Sequence, residues 1–200
     1  LSVPICKYNT PEDLLTGAQM VAREVFQPIH LPGVGDTRMQ TAPFKFSSGA
    51  LHITQAAPPA GADAEAVMYA SSRNAAPSPK RHVANTGEAP LAGMRVADFT
   101  LHAAGPFAAH MLSLLGAEVI KIESSLRPDI FRRPHPVYGR LDVATFDQVA
   151  ANKLSLTLNL KHPEGAAIAK RLVAISDVVA ESFRPGVMDR LGLDYESLKA

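Results

Sequence analysis

One cysteine, Cys6, occurs in the 200 residues. An internal disulfide is therefore impossible, Cys6 has no CxxC partner, and the composition fits a reducing, cytoplasmic setting. Neither sign of charge is in surplus, since 20 Lys and Arg stand against 19 Asp and Glu. Such a balance generates no long-range field to gather nucleic acid or an anionic membrane, so any anion site has to be built locally. Long hydrophobic runs are also missing, none approaching the roughly 18 residues of a membrane span. The opening Leu1-Ser2-Val3-Pro4 lacks both an initiator Met and a charged leader, which reads as an internal start. No nucleic acid, membrane, bound metal or covalently held cofactor is expected.

The chain does have enough apolar residues to fold, 46% against 20% charged, the balance of a soluble globular protein. Between Ala70 and Pro90 the run Ser71-Ser72-Arg73-Asn74-Ala75-Ala76-Pro77-Ser78-Pro79 has no apolar period and reads as a linker. It divides the chain into residues 1–70, a linker over 71–89, and residues 90–200. The first part opens with Thr10-Pro11-Glu12-Asp13, a capped helix start with Pro at its first position. Leu14, Leu15, Ala18, Val21, Ala22 and Val25 follow at the spacing of one helix. Phe26 to Leu31, a turn over Pro32-Gly33-Val34-Gly35-Asp36, and Thr37 to Thr41 predict a β-hairpin. Ala56 to Ala66, rich in Ala, Pro and Gly, reads as extended.

The second part alternates strand and helix. Met94–Phe99, Ala117–Glu123, Leu154–Leu160 and Asp177–Phe183 read as strands, with helices over Pro106–Leu115 and Pro163–Ile175 and a long connection from Ser124 to Lys153. The expected fold is α/β, a Rossmann-like parallel sheet with flanking helices from Pro90 onward, preceded by a helix and hairpin. Right-handed crossovers then gather the C-terminal strand ends along one edge, where ligands bind. Leu101 to Pro106, Lys161-His162 and Phe183 to Gly186 all fall there. A dinucleotide site is disfavoured. Glu123 ends the second strand as a ribose-binding acid would, but Gly105 alone stands where G-x-G-x-x-G is needed.

Pro90 to Thr100, Ala104 to Ala108, Leu114 to Glu123, Asn152-Lys153, Ser155 to Lys161, Pro163-Glu164-Gly165 and Asp177 to Gly192 follow one another in an order and spacing that resembles the start of family III CoA-transferases and the related α-methylacyl-CoA racemases. The first part resembles the opposite end of the same family. Glu12 to Leu15, His30 to Gly35 and Ala42 to Ser47 look like its final helix, hairpin and tail. A tail, a linker and a truncated head in that order imply a piece of a tandem fusion, with a circular permutation as the alternative.

The resemblance implies an enzyme that moves CoA between an acyl-CoA and a carboxylic acid through anhydride and aspartyl-CoA states. The nucleophilic aspartate is expected beyond Ala200, so no catalytic residue is expected within the chain, which would be inactive alone. Asp98, Asp177 and Asp189 read as caps or solvated charges. The positions that match CoA contacts are Ala103, Ala104, Leu158, Lys161, Ser182, Phe183, Arg184, Arg190 and Leu191. Lys161 and Arg190 would pair with phosphates, while Leu158, Phe183 and Leu191 would enclose adenine or pantetheine. The residues alone allow other roles: Lys161 as a solvated strand end, Arg190 in an ion pair on its own helix, Phe183 as core. His102 beside the loop reads as a structural donor or as substrate-facing.

Several polar residues preferred by the formyl-CoA transferase type are replaced, by Ala103, Ser124, Leu154 and Ser182. Arg184 and the cluster Arg127, Arg132, Arg133 and Arg140 could supply phosphate contacts instead, or form a solvated loop. The partners implied are an acyl-CoA, an acid, and a second subunit or copy in an interlocked homodimer or intramolecular pseudo-dimer. Two alternatives are a racemase-like isomerase and a non-catalytic half that completes a pseudo-dimer.

Overall fold

A computed structural model describes residues 8–46, 51–72, 89–132 and 144–199. Cys6 and most of the predicted linker lie outside them, as do Arg133 and Arg140. The chain packs as two compact units, residues 1–52 and 53–200.

In the first unit the predicted single helix is two, α1 (Pro11–Thr16) and α2 (Ala18–Ala22). Gly17 between them is extended, with φ −60° and ψ 130°. Thr10 caps α1 as expected: its hydroxyl accepts from Asp13 N while the Asp13 carboxylate accepts from Thr10 N, so each satisfies a donor the other leaves open. Strands β1 (Phe26–Leu31) and β2 (Gly35–Gln40) then pair antiparallel, Phe26 opposite Gln40 and Leu31 opposite Gly35, as the hairpin pattern predicts.

The second unit begins with a strap, residues 53–63, and helix α3 (Ala64–Ser72). This helix corrects the extended reading of Ala56–Ala66. Val67 is buried, with Ala64 and Met68 half-buried beside it, a three-residue apolar stripe too short to stand out in an Ala-rich run. The boundary between packed units thus falls at His52–Ile53, well before the change in composition.

There follow β3 (Arg95–Asp98), α4 (Ala104–Leu114), β4 (Glu118–Glu123), a 3₁₀ turn (Ile130–Arg132), α5 (Ala144–Ala150), β5 (Lys153–Thr157), α6 (Pro163–Ala174), β6 (Val178–Ala180), α7 (Val187–Leu191) and α8 (Tyr195–Leu198). Helix α5 lies inside the stretch read as a long connection. The four strands are parallel, in the order β5-β4-β3-β6. Gly116, at φ +97°, ends the α4 turn in a conformation that side chains resist.

Side chains alternate across a strand, and here the two faces differ in kind. Ala97, Ile120, Ile122 and Leu156 join Phe99, Leu158, Val67 of α3 and Leu172 of α6 in an apolar core. On the opposite face Val96 and Val119 pack on Ala109 of α4, and the positions that continue this face are Asp98, Lys121, Glu123, Lys153 and Ser155. All five are at most 4% exposed.

Candidate functional site

The C-terminal ends of β3 and β6, which are neighbours, bring two loops side by side. Leu101 N donates to Ser182 Oγ at 3.1 Å. Gly105 sits where a Cβ would come within 2.5 Å of Thr100 Cβ and 3.2 Å of Ser182 Cβ, so only glycine lets the loop close this tightly. Ala103 and Ala104 are exposed at the start of α4, with no side chain capping the helix. His102, at φ +70°, is exposed and holds the loop in a left-handed turn. Beyond Ser182, Phe183 is half-buried against the apolar core and its N–H donates to Glu181 Oε2 at 2.7 Å. Arg184 is exposed, and its carbonyl accepts from Val187 N as α7 begins. Arg190 is also exposed, its Nη1 3.5 Å from where a Cβ on Gly186 would stand.

The residues after β5 are further away. Lys161 is exposed and Leu158 is buried in the core. Strand β4 lies between β5 and β3, so two strand spacings, roughly 10 Å, separate this end from the Leu101–Gly105 loop. Ala103, Ala104, Ser182, Phe183 and Arg184 therefore form one group, with Arg190 and the half-buried Leu191 on the short helix that follows. Lys161 stands apart from them, and Leu158 presents little surface to any ligand.

Directly beneath the loop lies a set of buried ion pairs. Lys153 Nζ is 2.9 Å from Asp98 Oδ2, Lys121 Nζ is 3.1 Å from Asp129 Oδ2, and Arg132 is 2.8 Å from Glu123 Oε1. Three acids balance three bases, so little net charge is buried. The reading of Asp98 as a cap or solvated charge is corrected: it is fully buried and paired. Desolvation lowers the Lys153 pKa, and the neighbouring Asp98 carboxylate opposes that shift. Asp177 caps no helix: it is exposed just before β6, and its carboxylate accepts from Arg95 N at the start of β3 at 2.8 Å, while Asp189 is also exposed. Of the arginine cluster, Arg132 is committed inward to Glu123, to the Pro58 carbonyl and to the face of Phe146, whereas Arg127 is exposed. These buried charges had a signal in the sequence. Both faces of a parallel sheet are covered, so a charged residue at every second strand position has to find a partner indoors.

The arrangement is a parallel α/β sheet with a glycine-tightened loop, exposed residues at a helix start, and the exposed cations Arg184 and Arg190 after the neighbouring strand. The sequence profile described as CoA-transferase family III matches residues 1–64 and 91–200, and the chain belongs to that family. Over 109 residues it is 45% identical to the beta subunit of succinyl-CoA--L-malate CoA-transferase from Chloroflexus aurantiacus, covering 54% of this chain and 27% of that protein. The alpha subunit from the same organism is 38% identical over 167 residues, 82% of this chain and 36% of its own, so both parts of the chain take part. The crystal structure of a CAIB/BAIF family protein from Brucella suis superposes with a TM-score of 0.52 at 40% identity, over 56% of this chain and 30% of that one. The chain thus spans about a quarter to a third of the relatives it matches.

Proposed function

We propose that the chain supplies part of the CoA-binding domain of an enzyme that moves CoA from an acyl-CoA to a carboxylic acid. The observation that carries this reading is the apposition of the Leu101–Gly105 and Ser182–Gly186 loops at the sheet edge, tied through Leu101 N and Ser182 Oγ. The exposed residues Ala103 and Ala104 at the helix start would meet the pantetheine or diphosphate, and Arg184 and Arg190 would neutralise phosphates. Lys161, two strands away, would reach only an extended part of the same ligand, and Phe183 and Leu191 would contribute apolar wall.

The chemistry belongs to an aspartate expected beyond Ala200. Its carboxylate attacks the thioester carbonyl and expels CoA thiolate, leaving a mixed anhydride. The thiolate then attacks the aspartyl carbonyl, releases the donor acid and leaves aspartyl-CoA, which the acceptor carboxylate opens in the reverse sense. Two separate stretches of family match, residues 1–64 and 91–200, flank the change in composition, and a preceding tail joined to a following head in a tandem fusion is the reading that fits them. Such a fusion would form an intramolecular pseudo-dimer, or dimerise with a second chain.

A second reading is a half that completes the pair without binding CoA. It is favoured by the Ser182 hydroxyl, which is engaged with Leu101, and by Ala103, which offers no side-chain donor. Titration of the full-length protein with CoA separates the two: one site per copy supports the transferase role of this head, and one site per two copies supports the second reading. Hydroxylamine trapping during turnover, followed by peptide mass spectrometry, should place a hydroxamate on an aspartate. Label-free turnover with proton exchange at the α-carbon would support a racemase instead.

A further inference from the structure

The loop that carries Ala103 and Ala104 is held from below at its main chain. Lys121 Nζ donates to Thr100 O at 3.1 Å, Asp129 Oδ2 accepts from His102 N at 3.3 Å, and Lys153 Nζ donates to Pro106 O at 2.9 Å. His102 stands at φ +70°, a conformation uncommon for a residue with a side chain, so its N–H partner bears on how the loop is held. The acceptor that meets its N–H is itself fixed: Asp129 is 1% exposed, its Oδ2 also receives Lys121 Nζ at 3.1 Å, and its Oδ1 accepts from Phe131 N at 3.0 Å. Lys121 is 2% exposed, so this carboxylate and ammonium have no solvent to relax into.

We infer that Asp129 is a positioning residue for the acyl-CoA site: through Lys121 and the His102 amide it sets the course of the Thr100–Pro106 backbone, and so the direction of the main-chain groups that face the ligand. This rests on the reading of that loop as the CoA contact. Asp129 touches no ligand itself. Its effect is on affinity, because a loop released at His102 must be ordered again each time CoA binds.

Two variants of the full-length protein isolate the tie, each carrying Lys121→Met so that no buried ammonium is left without a counter-charge. Asp129→Asn keeps an oxygen able to accept from His102 N–H, and Asp129→Ala keeps none. The expected result is a CoA dissociation constant about tenfold higher for the Ala variant than for the Asn variant, the size of one hydrogen bond to a buried group. The KM for acyl-CoA should follow it with kcat unchanged. Amide exchange at His102, followed by NMR without ligand, should be fast in the Ala variant and slow in the Asn variant. Equal exchange and equal affinity in the two would overturn the inference. If the wild-type protein fails to bind CoA while the exchange rates still differ, the CoA reading falls and only the support of the loop survives. Should the Ala variant not fold, His102 exchange in the wild-type and Asn proteins gives the test: protection in both supports the tie, and exchange at the rate of an exposed amide in both refutes it.

Discussion

Lys153 and Asp98 meet at 2.9 Å across a strand that belongs to neither of them. Asp98 ends β3, Lys153 begins β5, and β4 runs between, with Lys121 directly opposite Asp98 in the register. The Lys153 side chain therefore crosses the sheet diagonally beneath α4 and donates as well to the Pro106 carbonyl in its first turn. A buried pair of this kind adds little net stability compared with apolar residues of the same volume, but removing one member strands the other. Lys153→Ala or Asp98→Ala should each cost about 3–5 kcal/mol. Lys153→Met combined with Asp98→Asn should recover a good part of that, since Asn keeps the acceptor for Thr100 N. Urea unfolding of the three variants measures it. Single losses below about 1 kcal/mol, the range of a surface pair, would mean that the two charges are solvated.

The close approach at Gly105 makes a second prediction. A methyl group there would stand 2.7 Å from Thr100 Cγ2 as well as 2.5 Å from its Cβ, and Thr100 is buried with its hydroxyl donating to Asp98. Gly105→Ala should destabilise by about 1–3 kcal/mol. Thr100→Ser in the same chain removes Cγ2 while keeping the hydroxyl, and should return part of the loss. Thermal unfolding with and without CoA reads both effects, because the shifted loop should also reduce the stabilisation that CoA confers.

The elements that could be read from sequence were those announced by neighbouring residues. Thr10 and Asp13 cap α1, Pro163 opens α6, Gly116 stops α4, and the apolar period of β3 to β6 is strong enough to define the sheet and its edge. What depended on distant residues was hidden. Alternating charges in β3, β4 and β5 look like a solvent face until α4, α5 and the strap cover them, so the buried network under the loop went unread. Helix α3 shows its role only when Val67 meets Phe99 and Leu172. The split at Gly17 is local, yet Leu14 to Val25 keep a helical period across it, and the period concealed the break. Within the candidate site, Ser182 and Ala104 were named from the family resemblance, and the pairing of Leu101 N with Ser182 Oγ brings their two loops side by side. The distance of Lys161 followed from strand order, which a list of strands does not contain.

Acid stability should carry the mark of His110. The imidazole is 2% exposed and its ring nitrogen lies 3.1 Å from the Ala151 carbonyl. Burial, against the opposing hydrogen bond, lowers its pKa from 6.5 to about 4. Between those values the unfolded chain binds a proton that the folded chain refuses, so the contribution is full above pH 6.5 and is lost as pH falls toward 4. At about 1.36 kcal/mol per pH unit the loss reaches roughly 3 kcal/mol. His110→Asn should flatten the stability profile over that interval relative to wild type, whatever its stability at pH 8. Parallel profiles for the two proteins would show that the histidine charges freely in the fold.

The strap is tied to the sheet by Asn152, which stands at φ +60° just before β5. Its Oδ1 accepts from Thr54 N at 2.7 Å and Gln55 N at 2.9 Å, while its own N–H donates to Gln55 O. Further along, Ser155 N donates to Asp63 Oδ2 and Asp63 N to Ser155 O, so one side-chain and one main-chain bond close the edge of β5. Asn152→Gly preserves the left-handed backbone and removes the acceptor, whereas Asn152→Asp preserves both. The Gly variant should lose about 1–2 kcal/mol and the Asp variant much less. The difference should appear as faster amide exchange at Thr54 and Gln55 without loss of the sheet. If the Gly and Asp variants behave alike, then the strap is held by its other ties, namely the Asp63 pair, Gly61 N to Ser155 Oγ and Arg132 to Pro58 O, and Asp63→Ala becomes the next substitution to test.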